Sequence, residues 1–216
     1  MSTDLPTTTA IQKYEPFSKN PFTNSLLKDR SYTHHTRDPT PNLDPNTATT
    51  TPTSWQEMQD GNPFFRVTCC CSSAVQATLF LSRTPTQSRT PSTEAEAEAE
   101  AEGHLLLHVG PGITGQTGIA HGGFLATALD EVCGNLVAVA GLDGGCGMFT
   151  AQLGVVYRRP VFVPEGGTVI VATARVVGVE GRKVFIEGVV RDGDGVVCTT
   201  AEAVFVRKRA GDSAVL

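Results

Sequence analysis

The residues best suited to chemistry stand at the entry and in the middle of one apolar stretch. His121, Gly122 and Gly123 open it, and Asp130 follows seven residues after Gly123. Two consecutive glycines leave bare backbone N–H groups at the start of a helix, where the helix dipole is positive. Such a place receives an anion, or an oxyanion that develops during a reaction. Close packing is the blander use of a Gly-Gly pair, and the carboxylate shifts the balance toward chemistry. Seven residues make two helical turns, so Asp130 shares the face of Gly123, which is otherwise apolar. At a rise of about 1.5 Å per residue the two stand roughly 10 Å apart along the axis. Within one chain they cannot act on one substrate atom. Two copies of the helix lying antiparallel would bring the Gly123 of one to the Asp130 of the other. Glu131, about 100° further round the helix, reads as a residue at the solvent edge.

The element that carries these groups is legible from its spacing. From Phe124 onward there is no proline, and Leu125, Leu129, Val132, Leu136 and Val139 recur at helical intervals. Gly141 and the Gly144-Gly145 pair stop the helix. A glycine-rich loop precedes it, fed by a strand over His104 to Val109. His104 and His108 share a strand face; with no third ligand in evidence, they read as exposed edge histidines rather than a metal pair. Beyond the helix, residues 148–158, 168–179, 183–191 and 196–207 read as strands. Pro164-Glu165-Gly166-Gly167, Glu180-Gly181 and Asp192-Gly193-Asp194-Gly195 punctuate them as an antiparallel meander. Thr150 in the first of these would share a face with Gln152. Consecutive hairpins after one long buried helix predict an α+β fold, an antiparallel sheet wrapped on that helix.

Upstream, Pro63 to Cys71 and Ala74 to Leu81 read as strand-forming, and Trp55 to Met58 as a short helix or turn. The first 54 residues hold 13 Thr and 7 Pro with no sustained period. Such a segment cannot offset its ordering entropy, which predicts a largely disordered extension over 1–54 and a domain over 55–210. A docked exception is available at Pro21 to Leu27, through Phe22, Leu26 and Leu27. Residues 82–103 are rich in Ser, Thr, Pro, Glu and Ala and predict a solvated low-complexity Glu-Ala loop.

The formal charge of −5 is set by that loop: its five glutamates removed, 17 acidic residues face 17 basic ones. No basic patch suggests nucleic acid, and Arg207-Lys208-Arg209 reads as a solvated strand end. Cys69, Cys70 and Cys71 are consecutive, so on a strand they point to opposite faces and predict no metal site. Without a signal peptide, reduced thiols predict an intracellular compartment, cytoplasmic or mitochondrial. The longest apolar run, the central helix, falls short of the ~20 residues of a membrane span.

HGGFLATALD (121–130) and FTAQLGVVYRRPVFVPEG (149–166), with the strand pattern to about residue 207, resemble the hot-dog-fold acyl-CoA thioesterases of the phenylacetate-pathway type. The resemblance covers roughly the second half of the chain. It implies a hot-dog fold and hydrolysis of an acyl-CoA thioester to free acid and CoA, by a homodimer or tetramer without a cofactor. It implies the Gly123 N–H as oxyanion donor, with His121 beside it and Gly122 at the substrate. Asp130 of the opposite subunit is then base or nucleophile. Thr150 stands where relatives carry a Ser or Thr that holds the attacking water. One departure is Gly115, where one branch of relatives has an Asn or similar polar side chain; the adjacent Gln116 is the candidate substitute. Phe124, with Met148 and Phe149, is a candidate for the acyl pocket, and Arg158 and Arg159 for the phosphates of CoA. A non-catalytic acyl-thioester or small-ligand binding module is the alternative, favoured by Gly115. A dehydratase would need a histidine base, and no His follows residue 121.

Overall fold

The computed structural model describes residues 14–35, 62, 64–84 and 101–209. A helix α1 (Glu15–Lys19), a helix α2 (Pro21–Lys28) and a strand β1 (Thr33–His35) come first. A π-helical turn (Phe64–Cys69), strands β2 (Val75–Arg83) and β3 (Glu102–Val109), and a small pair β4 (Thr114–Gln116) and β5 (Ile119–Ala120) follow. Then come the long helix α3 (Gly122–Val139) and strands β6 (Met148–Tyr157), β7 (Thr168–Glu180), β8 (Lys183–Arg191) and β9 (Val197–Arg207).

Seven strands form one antiparallel sheet in the order β1-β2-β3-β7-β8-β9-β6. The sheet wraps α3, whose Leu125, Leu129, Val132 and Leu136 are buried against Leu105, Leu107, Ile170, Ile186 and Phe205. Each such side chain contributes about 1.5–3 kcal/mol by leaving water. Gly188 of β8 lets the helix approach: a Cβ there would lie 2.8 Å from Leu129 Cδ2. At the far end Gly141 takes φ +67, and Leu142 N–H donates to Val137 O at 3.0 Å, closing the helix C-terminus. By length and composition alone α3 could cross a membrane, but here one face is the core of the sheet.

β7, β8 and β9 form the expected meander, whereas β6 does not pair with β7. It sits on the far edge beside β9, and β7 pairs with β3 instead. The segment with Pro160 and Pro164 is therefore a crossing connection rather than a hairpin. It holds the glycine loop in place through Ala120 N–H to Val161 O (3.0 Å) and Val163 N–H to Gly118 O (2.8 Å). Strand reading also fails at Pro63 to Cys71, where the chain makes the π-helical turn Phe64–Cys69. Side-chain type alone suggested a strand there, but Cys70 N–H reaches back to Phe65 O at 3.0 Å.

β3 lies inside the sheet, so its histidines are not edge residues. His104 is buried, with Nδ1 2.9 Å from Thr173 Oγ1 and the Tyr32 ring edge-on at 4.8 Å. His108 is half-buried. Among the described residues no three metal-ligating side chains come together.

The outer face of β2, β3 and β7 is covered by residues 14–35. Phe17 is fully buried there against Leu79, Leu81, Leu106 and Val171, with Phe22, Leu26, Leu27 and Tyr32 packed around it. The docked segment is thus longer than Pro21 to Leu27, and β1 joins the main sheet, so the folded unit draws on residues before 55. Asn20 fastens the segment, accepting the Thr23 N–H at the start of α2 and donating to Gly193 O. The Glu-Ala loop is shorter than 82–103. Arg83 and Glu102 are paired strand ends, joined at 2.6 Å, and Tyr32 donates to the same carboxylate. The core of that loop and Trp55 to Met58 lie outside the described residues.

Candidate active site

The site is built where α3 begins and where β6 runs alongside it. His121 is the N-cap of α3: its backbone is extended and its Nδ1 accepts the Gly123 N–H at 2.9 Å. That ring nitrogen must be unprotonated to accept, which leaves any ring proton on Nε2. Gly115 is the reason the ring fits. A Cβ at that position would lie 2.7 Å from His121 Cδ2, so a polar side chain at 115 and this histidine rotamer exclude each other. Gln116 is exposed on β4.

Two turns into the helix, the Thr150 hydroxyl donates to Asp130 Oδ1 at 2.7 Å. β6 carries a bulge beside Thr150. Thr150 pairs with Phe205 and Gln152 with the next residue, Val204, leaving Ala151 unpaired. Thr150 and Gln152 therefore face opposite sides, contrary to simple alternation. The same bulge puts Thr150, Leu153, Val155 and Tyr157 in one row, because their partners Phe205, Ala203, Ala201 and Thr199 alternate along β9. At the end of that row the Tyr157 hydroxyl donates to Gly122 O at 2.8 Å. Tyr157 was noted in the sequence only as part of a motif. No spacing rule could have assigned it a contact without the bulge.

Glu131 is not at the solvent edge. It is half-buried and accepts from Asn62 Nδ2, and Asn62 Oδ1 in turn accepts the Phe65 N–H. Burial raises its pKa to about 7; the Asn62 hydrogen bond opposes this and the charge of Asp130 adds to it. Buried Cys133, on the same helix, is likewise pushed far up by burial and by Asp130.

Arg158 and Arg159 follow Tyr157 at the mouth of an open cleft of about 330 Å³, lined also by Ile119, Gly122, Leu125 and Val161. Arg158 Nε donates to Thr200 Oγ1, and both arginines are exposed. Phe124 and Met148 pack on the core, whereas Phe149 is exposed beneath the Lys208 ammonium. Arg207, beside it, donates to Leu142 O, so this strand end is tied rather than only solvated. The structure thus joins Thr150 with Asp130, and His121 with Gly123. It leaves the two pairs apart within one chain.

Residues 117–199, which hold His121, Asp130 and Thr150, match the family model described as Thioesterase superfamily. An antiparallel sheet wrapped on one long helix is the architecture of that superfamily. The fold is a hot-dog fold. An acyl-coenzyme A thioesterase, THEM4, of Xenopus laevis is 36% identical over 104 residues, covering 47% of this chain and 43% of that protein. The matched part thus spans less than half the length of that curated relative. Two solved structures are similar over about half of the chain. A Bacillus halodurans protein solved with CoA is 27% identical, over 48% of this chain and 65% of its own, with a TM-score of 0.43. The PaaI protein of the Escherichia coli phenylacetic acid degradation operon is 15% identical, over 50% and 74%, with a TM-score of 0.45.

Proposed function

We propose that the protein hydrolyses an acyl-CoA thioester to a free acid and CoA at a site shared between two copies of the chain. The observation that carries this is the Thr150–Asp130 hydrogen bond, which fixes a carboxylate on the helix that begins at His121-Gly122-Gly123. As general base, Asp130 takes a proton from water while the hydroxide attacks the thioester carbonyl carbon. As nucleophile, it forms an anhydride that water then opens. In both routes the carbonyl oxygen becomes an oxyanion, which collapses as the C–S bond breaks; the departing CoA sulfur takes its proton from protonated Asp130 in the first route and from water in the second. The Thr150 hydroxyl, donating to one carboxylate oxygen, leaves the other free to act.

The oxyanion donor is the Gly123 N–H of the opposing copy, since Gly123 and Asp130 lie two turns apart on one helix. The β6 edge supports a homodimer. Among the described residues it is an edge strand, with Phe149 and Val156 half-exposed, and apolar exposure of this kind is covered in an assembly. His121 must turn aside for a carbonyl oxygen to take the place of its Nδ1. Arg158 and Arg159 meet the phosphates of CoA at the cleft mouth, and Gly122, Gln116 and Phe124 border the acyl end. Kinship with the phenylacetate-pathway enzymes belongs to the same proposal, on the strength of HGGFLATALD and the strand ending in YRRP, as does an intracellular compartment.

One observation favours a second reading, a binding module that does not hydrolyse. The Gly123 N–H is already taken by His121, and Gly115 offers no polar contact to a carbonyl. A panel of acyl-CoA substrates, followed by release of free thiol, separates the two. Turnover by the wild type that disappears in Asp130→Asn supports hydrolysis, and binding without thiol release supports the module.

A further inference from the structure

The peptide unit joining Gly122 to Gly123 is held at both ends. Its N–H donates to His121 Nδ1 at 2.9 Å, and its carbonyl accepts from the Tyr157 hydroxyl at 2.8 Å. The Tyr157 ring lies against the same unit, so close that a Cβ on Gly122 would stand 3.1 Å from Cζ. The unit is planar, so fixing its oxygen and its nitrogen fixes its tilt. A donor on the carbonyl also draws electron density out of the amide and makes the N–H at the other end a stronger donor.

Neither partner needs the Tyr157 contact to satisfy a stranded group. The orphan groups at a helix start are its N–H groups, while the carbonyls of the first turn already accept from the next. Tyr157 is 52% exposed, so its hydroxyl could be served by water. A hydroxyl that is free to face water and instead adds a second donor to this carbonyl is placed for what it does to the peptide. It is brought there by the Ala151 bulge, which aligns Tyr157 with Thr150. When a ligand oxygen displaces His121 Nδ1, Tyr157 is the contact that stays.

We propose that Tyr157 is a positioning residue for the oxyanion site, orienting and polarising the Gly122–Gly123 peptide through its carbonyl oxygen. This rests on the thioesterase reading for its catalytic meaning, though the contact itself can be read without turnover. The test is Tyr157→Phe, which keeps the ring and removes one oxygen. In the nitrogen-15 spectrum of the free protein, the Gly123 amide resonance should move upfield in the variant while resonances of the distant end of α3 stay fixed. In acyl-CoA hydrolysis kcat should fall roughly tenfold with KM within about twofold, because the donor matters most to the charged intermediate. An unmoved Gly123 resonance overturns the proposal whatever the kinetics. A moved resonance with wild-type kcat, or a loss confined to KM, overturns the positioning role and leaves a structural contact. If the wild type releases no thiol, the thioesterase reading falls and takes the catalytic role with it, while the resonance still decides whether Tyr157 holds the peptide.

Discussion

The hydroxyl of Thr150 donates to Asp130 Oδ1 at 2.7 Å, across the gap between an edge strand and the third turn of the central helix. A carboxylate held this way keeps one oxygen in place and the other available. Asp130→Asn keeps the shape, removes the charge and should lose turnover by ~2–4 orders of magnitude, with acyl-CoA binding retained. Thr150→Val should lose roughly tenfold to a hundredfold in kcat, and Thr150→Ser should recover most of it. Thiol release under saturating acyl-CoA measures both. Full activity in Asp130→Asn would remove this carboxylate from the chemistry.

Sharing of the site between copies predicts complementation. Asp130→Asn and an inactive Gly123→Val variant, refolded together, should regain activity, because each mixed dimer holds one site with both native groups. About a quarter of wild-type activity per chain is the ceiling for random mixing, since half the dimers are mixed and each has one of two sites. Differently tagged chains establish that mixed dimers formed. No recovery in such a mixture would place both groups of a working site in one chain.

Glu131 makes a prediction about pH. Its pKa is about 7 in the folded chain against an ordinary 4.5. Between those values the folded state holds a proton that the unfolded state has lost, so stability falls as pH rises through this window and levels off above it. Glu131→Gln has no such dependence. It should exceed the wild type by roughly 1–3 kcal/mol near pH 8 and match it near pH 4, in urea unfolding followed at both values. Its thiol release should stay close to wild type, in contrast to Asp130→Asn. Parallel stability curves for wild type and variant would show that the burial around Glu131 is relieved by water.

The covering segment over 14–35 should loosen in acid. Burial lowers the pKa of His104; Arg83 and Arg191 add to this, while Glu102 and Asp29 oppose it. His35, packed near Phe80 in the same patch, is also lowered by burial and by His34. Below the ordinary value of 6.5 the released state gains protons that the docked state refuses, so stability is full above that pH and is lost as pH falls. Amide exchange protection of Tyr14 to His35 should decline by up to roughly tenfold per pH unit for each histidine below about 6.5, ahead of α3, and His104→Gln should reduce the effect. Protection that holds to pH 5 would show that the segment does not depend on a neutral histidine.

The central helix was legible because its signals agree. Period, a glycine entry and a glycine exit all point to 122–139, and burial of Leu129 and Val132 follows from them. The strands from 168 onward were legible for the same reason. What escaped was set by partners distant in sequence. Glu131 looked exposed because nothing beside it in the chain indicates Asn62, and His104 looked exposed because Tyr32 lies 72 residues away. Phe64 to Cys69 has the composition of a strand and the hydrogen bonding of a wide helical turn, a choice made by packing rather than propensity. The resemblance put Thr150 in the site as a holder of water and not as a donor to Asp130, and the strand face given to Thr150 was wrong by one residue.

That single residue has a consequence of its own. Ala151 is exposed and has no partner in the register of β6 with β9, so its side chain can change without loss. Delete it and Thr150 still faces Phe205 while Gln152 still faces Val204, now as ordinary neighbours on alternating sides, so Thr150 keeps its place over Asp130. The site depends on the pairing of Thr150 with Phe205 rather than on the bulge itself, and any change that slips that pairing by one residue turns the hydroxyl away from the helix.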